Sequence, residues 1–196
     1  MLTELKRGVL FTTVTMVLLG GVYHAALWAV GQVAFPLQAQ GSLIRRDDGA
    51  VIGSSLVAQA FTRSEYFHPR PSAVEYNAAS TGGSNRGPSN PEHLELLQER
   101  LSAFVAAESA SASDVPSEMI TASGGGLDPH IPPAAAHLQA PRVAAARGID
   151  PSRLRALIDA HTEPPTFGFL GRARVNVLEL NLALDEAIAR SANGPR

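Results

Sequence analysis

The chain opens with a long apolar run. After Lys6 and Arg7 no charged side chain occurs until Arg45, and Gly8 to Val30, GVLFTTVTMVLLGGVYHAALWAV, is apolar or weakly polar throughout. A hydrocarbon core of about 30 Å is crossed by about 20 helical residues, each rising about 1.5 Å. The run therefore predicts one transmembrane helix. The competing reading is a cleaved signal peptide, whose apolar region is about 7 to 15 residues and ends in a small-x-small site. Trp28, Phe35 and Pro36 stand where such a site needs small residues, which favours a retained anchor. The cations precede the helix, so the positive-inside bias puts the N-terminus in the cytoplasm and everything after about residue 35 outside. The resulting division is a cytoplasmic 1–7, a membrane helix 8–30, an exit linker 31–41 and an extracytoplasmic domain 42–196.

At about 100° per residue, Thr13, Gly20, His24 and Gly31 fall on one stripe of the helix. Small and weakly polar residues on one side let a second helix approach closely, and an ionisable group at membrane depth tends to face protein or water. These four residues are candidate contacts with a partner helix. The alternative is polar scatter that the outer interface tolerates.

Beyond the membrane the pattern predicts an α/β (α+β) domain. Leu43-Ile44 and Val51-Ile52 flank Asp48-Gly49, a hairpin signal. Residues 62 to 91, with Pro69, Pro71, Pro88 and Pro91, read as an ordered loop. Leu94, Leu97, Leu101 and Phe104 recur at helical spacing after Pro91 and predict a helix over about 92–108. ESASASDVPSE is a polar connector. Further helices are expected from Pro133 to Arg147 and from Ser152 to His161, separated by Gly148 and Asp150-Pro151. RVNVLELNLALDEAIAR is ambiguous, because Leu178, Leu180, Leu182 and Leu184 alternate as in a strand. Asn176 with Glu179 nevertheless resembles an N-cap with its partner. A short strand up to Val175 followed by a helix is the preferred reading.

Composition narrows the function classes. The 196 residues carry a formal net charge of -2, one lysine and scattered arginines, with no basic stripe for nucleic acid. Cysteine is absent, which removes disulfides, thiolate nucleophiles and Cys-type zinc sites. STGGSNRGPSN, Ser80 to Asn90, has two glycines at phosphate-loop spacing, but Pro88 stands where GxxxxGK[ST] needs lysine. A nucleophile elbow, G-x-S-x-G, would need glycine at Arg86. Ser84 with His130 and Asp128 remains the alternative reading, a membrane-tethered serine hydrolase. The six histidines show no HExxH pair, and no metal is expected. STGGSNRGPSN and TASGGGLDPHIPP, Thr121 to Pro133, are longer than connections require and read as ordered contact loops. Gly82, Gly83, Ser84, Asn85, Gly124, Gly125 and Asp128 are their candidate partner contacts.

GQVAFPLQAQGSLI (31–44), IGSSLVAQAF (52–61), YFHPRPSA (66–73), the Ser80 stretch, residues 121–148 and RVNVLELNLALD (174–185) together resemble the C subunits, KdpC, of bacterial Kdp potassium-transporting ATPases. The resemblance covers nearly the whole chain. It implies one membrane helix with an external domain, in the bacterial inner (plasma) membrane. It also implies assembly with a potassium-binding channel-like subunit, a P-type ATPase subunit, a small membrane peptide and membrane lipid. The implied role is non-catalytic. Cofactors of its own are not expected, ATP and K+ being handled by the partner subunits, and the subunit is implied to act as a catalytic chaperone that raises the pump's ATP affinity. An external domain cannot touch cytosolic ATP, so such an effect would be a coupling between separate sites. The chain departs from the family pattern at Arg86, where leucine is usual, and at Thr81, beside the usual Ser-Gly-Gly-Ser.

Overall fold

A computed structural model describes residues 1–46 and 48–192. The chain falls into two compact units, Met1–Val51 and Ile52–Arg196.

The first unit is dominated by a 33-residue helix, Leu2–Ala34, the one helix among the described residues long and apolar enough to cross a membrane. At about 1.5 Å per residue it spans about 50 Å, more than a bilayer core requires. It consists of α1 (Leu2–Thr15), a π-helical segment (Met16–Val22) and α2 (Tyr23–Ala34). The π segment holds Gly20 and Gly21, the residues least able to enforce α-winding. A short α3 (Pro36–Ala39) and β1 (Leu43–Arg45) follow, and β1 joins β2 (Val51–Ser54) in a two-stranded sheet. The turn is the Asp48-Gly49 signal. Gly49 sits at φ 83°, and the Ala50 N–H donates to the Asp48 carboxylate at 2.9 Å.

In the second unit no regular element occurs between β2 and α4 (Pro91–Glu108), as the proline-rich pattern predicts. Asn90 caps α4 by accepting from the His93 N–H. Its inner face is not quite the predicted one, because Leu94 lies exposed while Leu97, Leu101 and Phe104 turn inward. Two single 3-10 turns, Ala112–Asp114 and Ser117–Met119, punctuate the polar connector. β3 (His130–Ile131) leads into α5 (Pro133–Arg147), and Gly148 and the Asp150 cap separate it from α6 (Pro151–Ala160). β4 (Thr162–Glu163), β5 (Arg174–Asn176) and α7 (Val177–Ala192) complete the unit. The antiparallel order is β3-β5-β4, with Ile131 opposite Val175 and Thr162 opposite Val175 across the two ladders.

The ambiguous C-terminal segment resolves as the capping residues imply. Asn176 Oδ1 accepts from the Leu178 and Glu179 N–H groups, and Val177, Leu180, Leu184 and Ile188 then recur on one face. Alanines supply the facing surface of α5: Ala135, Ala136, Ala140 and Ala144 are buried with Val143. Small side chains let α5 lie close to its neighbours.

Phe67 is fully buried in a segment with no secondary structure, so its peptide groups need other partners. They find them on the helices. Asn181 of α7 accepts from the Phe67 N–H at 2.9 Å and donates to the Phe67 carbonyl at 3.0 Å. Gln139 of α5 does the same for His68, at 2.7 and 3.1 Å. Arg142 donates to the carbonyls of Ser64 and Tyr66, and Arg147 to that of Glu65. Five consecutive carbonyls are thus bonded by side chains. Arg142 also ion-pairs with buried Glu108 of α4 at 2.9 Å. Burial pushes the Glu108 carboxyl above its usual range, against the opposing pull of Arg142.

Asn181→Leu keeps the volume and removes both bonds to Phe67. With each orphaned buried peptide group costing about 1–3 kcal/mol, urea denaturation should show a loss of about 2–5 kcal/mol. Arg153→Ala on α6 should stay within about 0.5 kcal/mol.

Candidate functional site

The fold brings the two glycine-rich loops together, which sequence spacing could not show. The Gly82 N–H donates to the Gly125 carbonyl at 3.2 Å, and Thr81 Oγ1 donates to the same oxygen at 3.2 Å. Ser72 Oγ donates to the Gly126 carbonyl at 2.6 Å and accepts from the Val74 and Tyr76 N–H groups. Gly126 lies at φ 72°, and a Cβ there would stand 2.7 Å from Val74 Cγ2 and 3.0 Å from the Gly82 carbonyl. Only glycine satisfies both the backbone and the space. A Cβ on Gly83 would stand 3.0 Å from the Gly124 carbonyl.

Asp128 anchors the second loop. Its Oδ2 accepts from Arg70 Nη1 at 2.9 Å, and its Oδ1 accepts from the His130 backbone N–H at 3.0 Å, with the His130 ring Nδ1 at 3.2 Å. Partial burial pushes the carboxyl up, but the His130 hydrogen bonds and the Arg70 guanidinium outweigh it, leaving the pKa at about 2. Tyr76 closes the other side of Arg70 by donating to its carbonyl at 2.7 Å.

Of the predicted contact residues, Ser84, Asn85, Gly124 and Gly125 lie exposed, while Gly82, Gly83 and Asp128 are half-buried. The exposed strip is uncharged and rich in accessible peptide groups. Asn85 is held at φ 52° with its side-chain amide donating to the Gly83 carbonyl. Such a surface suits docking against another protein's backbone or small side chains. At its edge Arg86 pairs with Glu92 of α4 at 3.4 Å, a surface ion pair. Thr81 supplies a bond between the loops. Arg70, Ser72 and Tyr76, which hold the loops in place, were not singled out in the sequence. Their signal was an arginine between two prolines, a cation with no local carboxylate.

The alternative chemistry finds no geometry. Asp128 and His130 do pair, but no hydrogen bond joins Ser84 to either, so nucleophile and base are not assembled. Gly82 N–H, which a phosphate cradle would present to its anion, is bonded to Gly125. Among the described residues no three His, Cys, Asp or Glu side chains converge as metal ligands. His137 pairs instead with Asp159 at 3.0 Å. A groove of about 410 Å³ between α6 and α7, lined by Arg147, Ile149, Arg153, Leu157 and Ile188, includes none of the glycine-loop residues.

In the membrane helix the stripe is altered. The π segment winds differently from an α-helix, so Thr13 before it and His24 and Gly31 after it do not keep the 100° phase. Gly20 lies within that segment with open space where a Cβ would be. His24 Nδ1 lies 2.7 Å from the Leu19 carbonyl, a pairing that requires Nδ1 to carry the proton. Thr13 Oγ1 donates to the Val9 carbonyl at 2.8 Å. Both polar side chains are therefore bonded within their own helix, as hydrocarbon surroundings demand.

Residues 5–186 match the family model described as KdpC, K+-transporting ATPase, c chain. Proteins named potassium-transporting ATPase KdpC subunit are similar over nearly the full length. That of Geobacter sulfurreducens is 47% identical over 93% of this chain and 97% of its own. That of Cereibacter sphaeroides strain KD131 is 48% identical over 95% and 99%, and that of Caulobacter vibrioides strain NA1000 is 48% identical over 94% of each.

Two expectations follow. Gly83→Ala should destabilise the domain by about 1–3 kcal/mol by forcing the loops apart, whereas Gly87→Ala, with open space at its Cβ, should be near neutral in the same melts. The Asp128 carboxyl is depressed on folding, so its contribution is present above the unfolded value of 3.8 and is lost as pH falls towards about 2. Melting temperature should drop across that window, and Asp128→Asn should lessen the drop.

Proposed function

The chain belongs to the KdpC family of K+-transporting ATPase c chains, and from that premise we propose that it is the non-catalytic, membrane-anchored subunit of an ATP-driven potassium importer. The N-terminal helix holds it in the bacterial inner membrane with residues 1–7 cytoplasmic and the α/β domain outside. The paired glycine-rich loops dock on a larger subunit of the pump. The potassium-binding channel-like subunit, the P-type ATPase subunit and the small membrane peptide are its partners, and they handle ATP and K+. The supporting observation is the exposed strip Ser84, Asn85, Gly124 and Gly125, uncharged and fixed by the Arg70–Asp128 pair at 2.9 Å. Ordered peptide groups on a rigid base lose little entropy on binding.

A rise in the pump's ATP affinity is then a coupling free energy. The domain favours, through its contacts, the conformation of the ATPase that binds ATP better, with no group of its own on the nucleotide. Retention of a single anchor fits this role, since the coupling needs residence in the complex.

Gly124→Trp separates docking from folding, because a side chain at Gly124 meets open space. The variant should keep the melting temperature of the parent yet lose copurification with the pump subunits. Removing the subunit from the purified complex should raise the half-saturating ATP concentration about fivefold or more. Full assembly and unchanged ATP dependence would rule out both the surface and the coupling.

A further inference from the structure

The uncharged run Gly8 to Val30 is centred on Leu19, and His24 stands five residues beyond it. At about 1.5 Å per residue the imidazole is carried about 7.5 Å from the midplane, half-way to the edge of a core about 30 Å thick. Trp28, four residues further, falls near that edge, where aromatic belts lie. A polar ring inside the belt can snorkel outward, but this one is drawn the other way, because its Nδ1 bonds the carbonyl of Leu19 at 2.7 Å. That bond fixes the proton on Nδ1. The uncharged ring then has a bare lone pair on Nε2, and among the described residues no donor meets it. Tyr23 alongside offers only its ring, nearly perpendicular at 5.6 Å between centroids. An acceptor stranded in hydrocarbon is costly.

On the reading of the chain as a pump subunit, we propose that His24 Nε2 accepts a hydrogen bond from a hydroxyl or amide side chain on a transmembrane helix of another pump subunit. The surface beside the ring admits such a neighbour. Helical side chains lean over the turn that precedes them, as the bond to Leu19 shows for His24, and that turn holds Gly20 and Gly21. A Cβ at either glycine would have nothing within 4 Å. A second backbone therefore comes close enough to set a short side chain on Nε2, and Ser, Thr, Asn and Gln are the residues that bond across membrane helices. Lipid is a poor substitute. Acyl chains carry no donor, and the headgroups lie outside the core, beyond the level of Trp28. Thr13, by contrast, already donates to the Val9 carbonyl and makes no such demand on a partner.

The test follows the ring itself. The full chain, with nitrogen-15 histidine in this subunit alone, is reconstituted into phospholipid vesicles by itself and together with the other pump subunits, and solid-state nuclear magnetic resonance compares the two. The His24 signals are those missing from His24→Leu. In the complex Nδ1 should carry the proton, and the unprotonated Nε2 signal should move upfield from its position in the isolated chain, as an accepted hydrogen bond requires. Assembly gives a second readout. His24→Leu should weaken retention of the pump subunits about threefold to twentyfold, whereas His24→Gln, which keeps an acceptor, should stay near the parent. Both variants should insert with unchanged circular dichroism. A proton on Nε2, an Nε2 already bonded in the isolated chain by water, lipid or a second copy, or equal retention by the leucine and glutamine variants overturns the proposal. A parent chain that retains no pump subunit overturns the subunit reading and this contact with it, so the two failures are told apart.

Discussion

The second unit depends on how it satisfies one irregular strip of backbone. Ser64 to His68 runs through the interior with Phe67 fully buried, and every carbonyl along it accepts from a side chain of α5 or α7. Buried peptide groups must be paired, and here the pairing comes from Asn181, Gln139, Arg142 and Arg147 in place of a neighbouring strand. The same arginines reach further. Arg142 fastens α4 through Glu108, and Arg147 fastens α7 through Asp185 while stacking on Tyr66, so three helices are fixed around one loop. Buried polar networks of this sort confer uniqueness as well as stability, because few other arrangements satisfy all their members.

That strip continues directly into the candidate docking site. Two residues after His68, Arg70 meets Asp128, and Ser72 meets Gly126. The rigid interior thereby sets the position of both glycine loops, which contain little apolar surface with which to order themselves. Asp128, bonded to both Arg70 and His130, holds the second of these loops.

The bilayer imposes a separate constraint on the first unit. In hydrocarbon each polar group must be satisfied locally, and His24 and Thr13 do so by bonding carbonyls of their own helix. The π segment, placed at the glycine pair, alters which residues share a face. The His24 imidazole stays paired with the Leu19 carbonyl within that winding.

Much of this was legible in the sequence. The apolar run gave the membrane helix, Asp48-Gly49 the hairpin, Gly148 and Asp150-Pro151 the boundary between α5 and α6, and Asn176 the start of α7. These are local matters of length, turn chemistry and capping, which a few neighbouring residues decide. The family motifs likewise pointed to the subunit's class. What the sequence could not supply was which distant groups meet: Asn181 with Phe67, Gln139 with His68, Arg70 with Asp128, and one glycine loop with the other. The exposure of Leu94 has the same origin. A residue's partner across the fold is chosen by burial and by the need to pair each buried polar group, and both exist only once the chain has closed on itself.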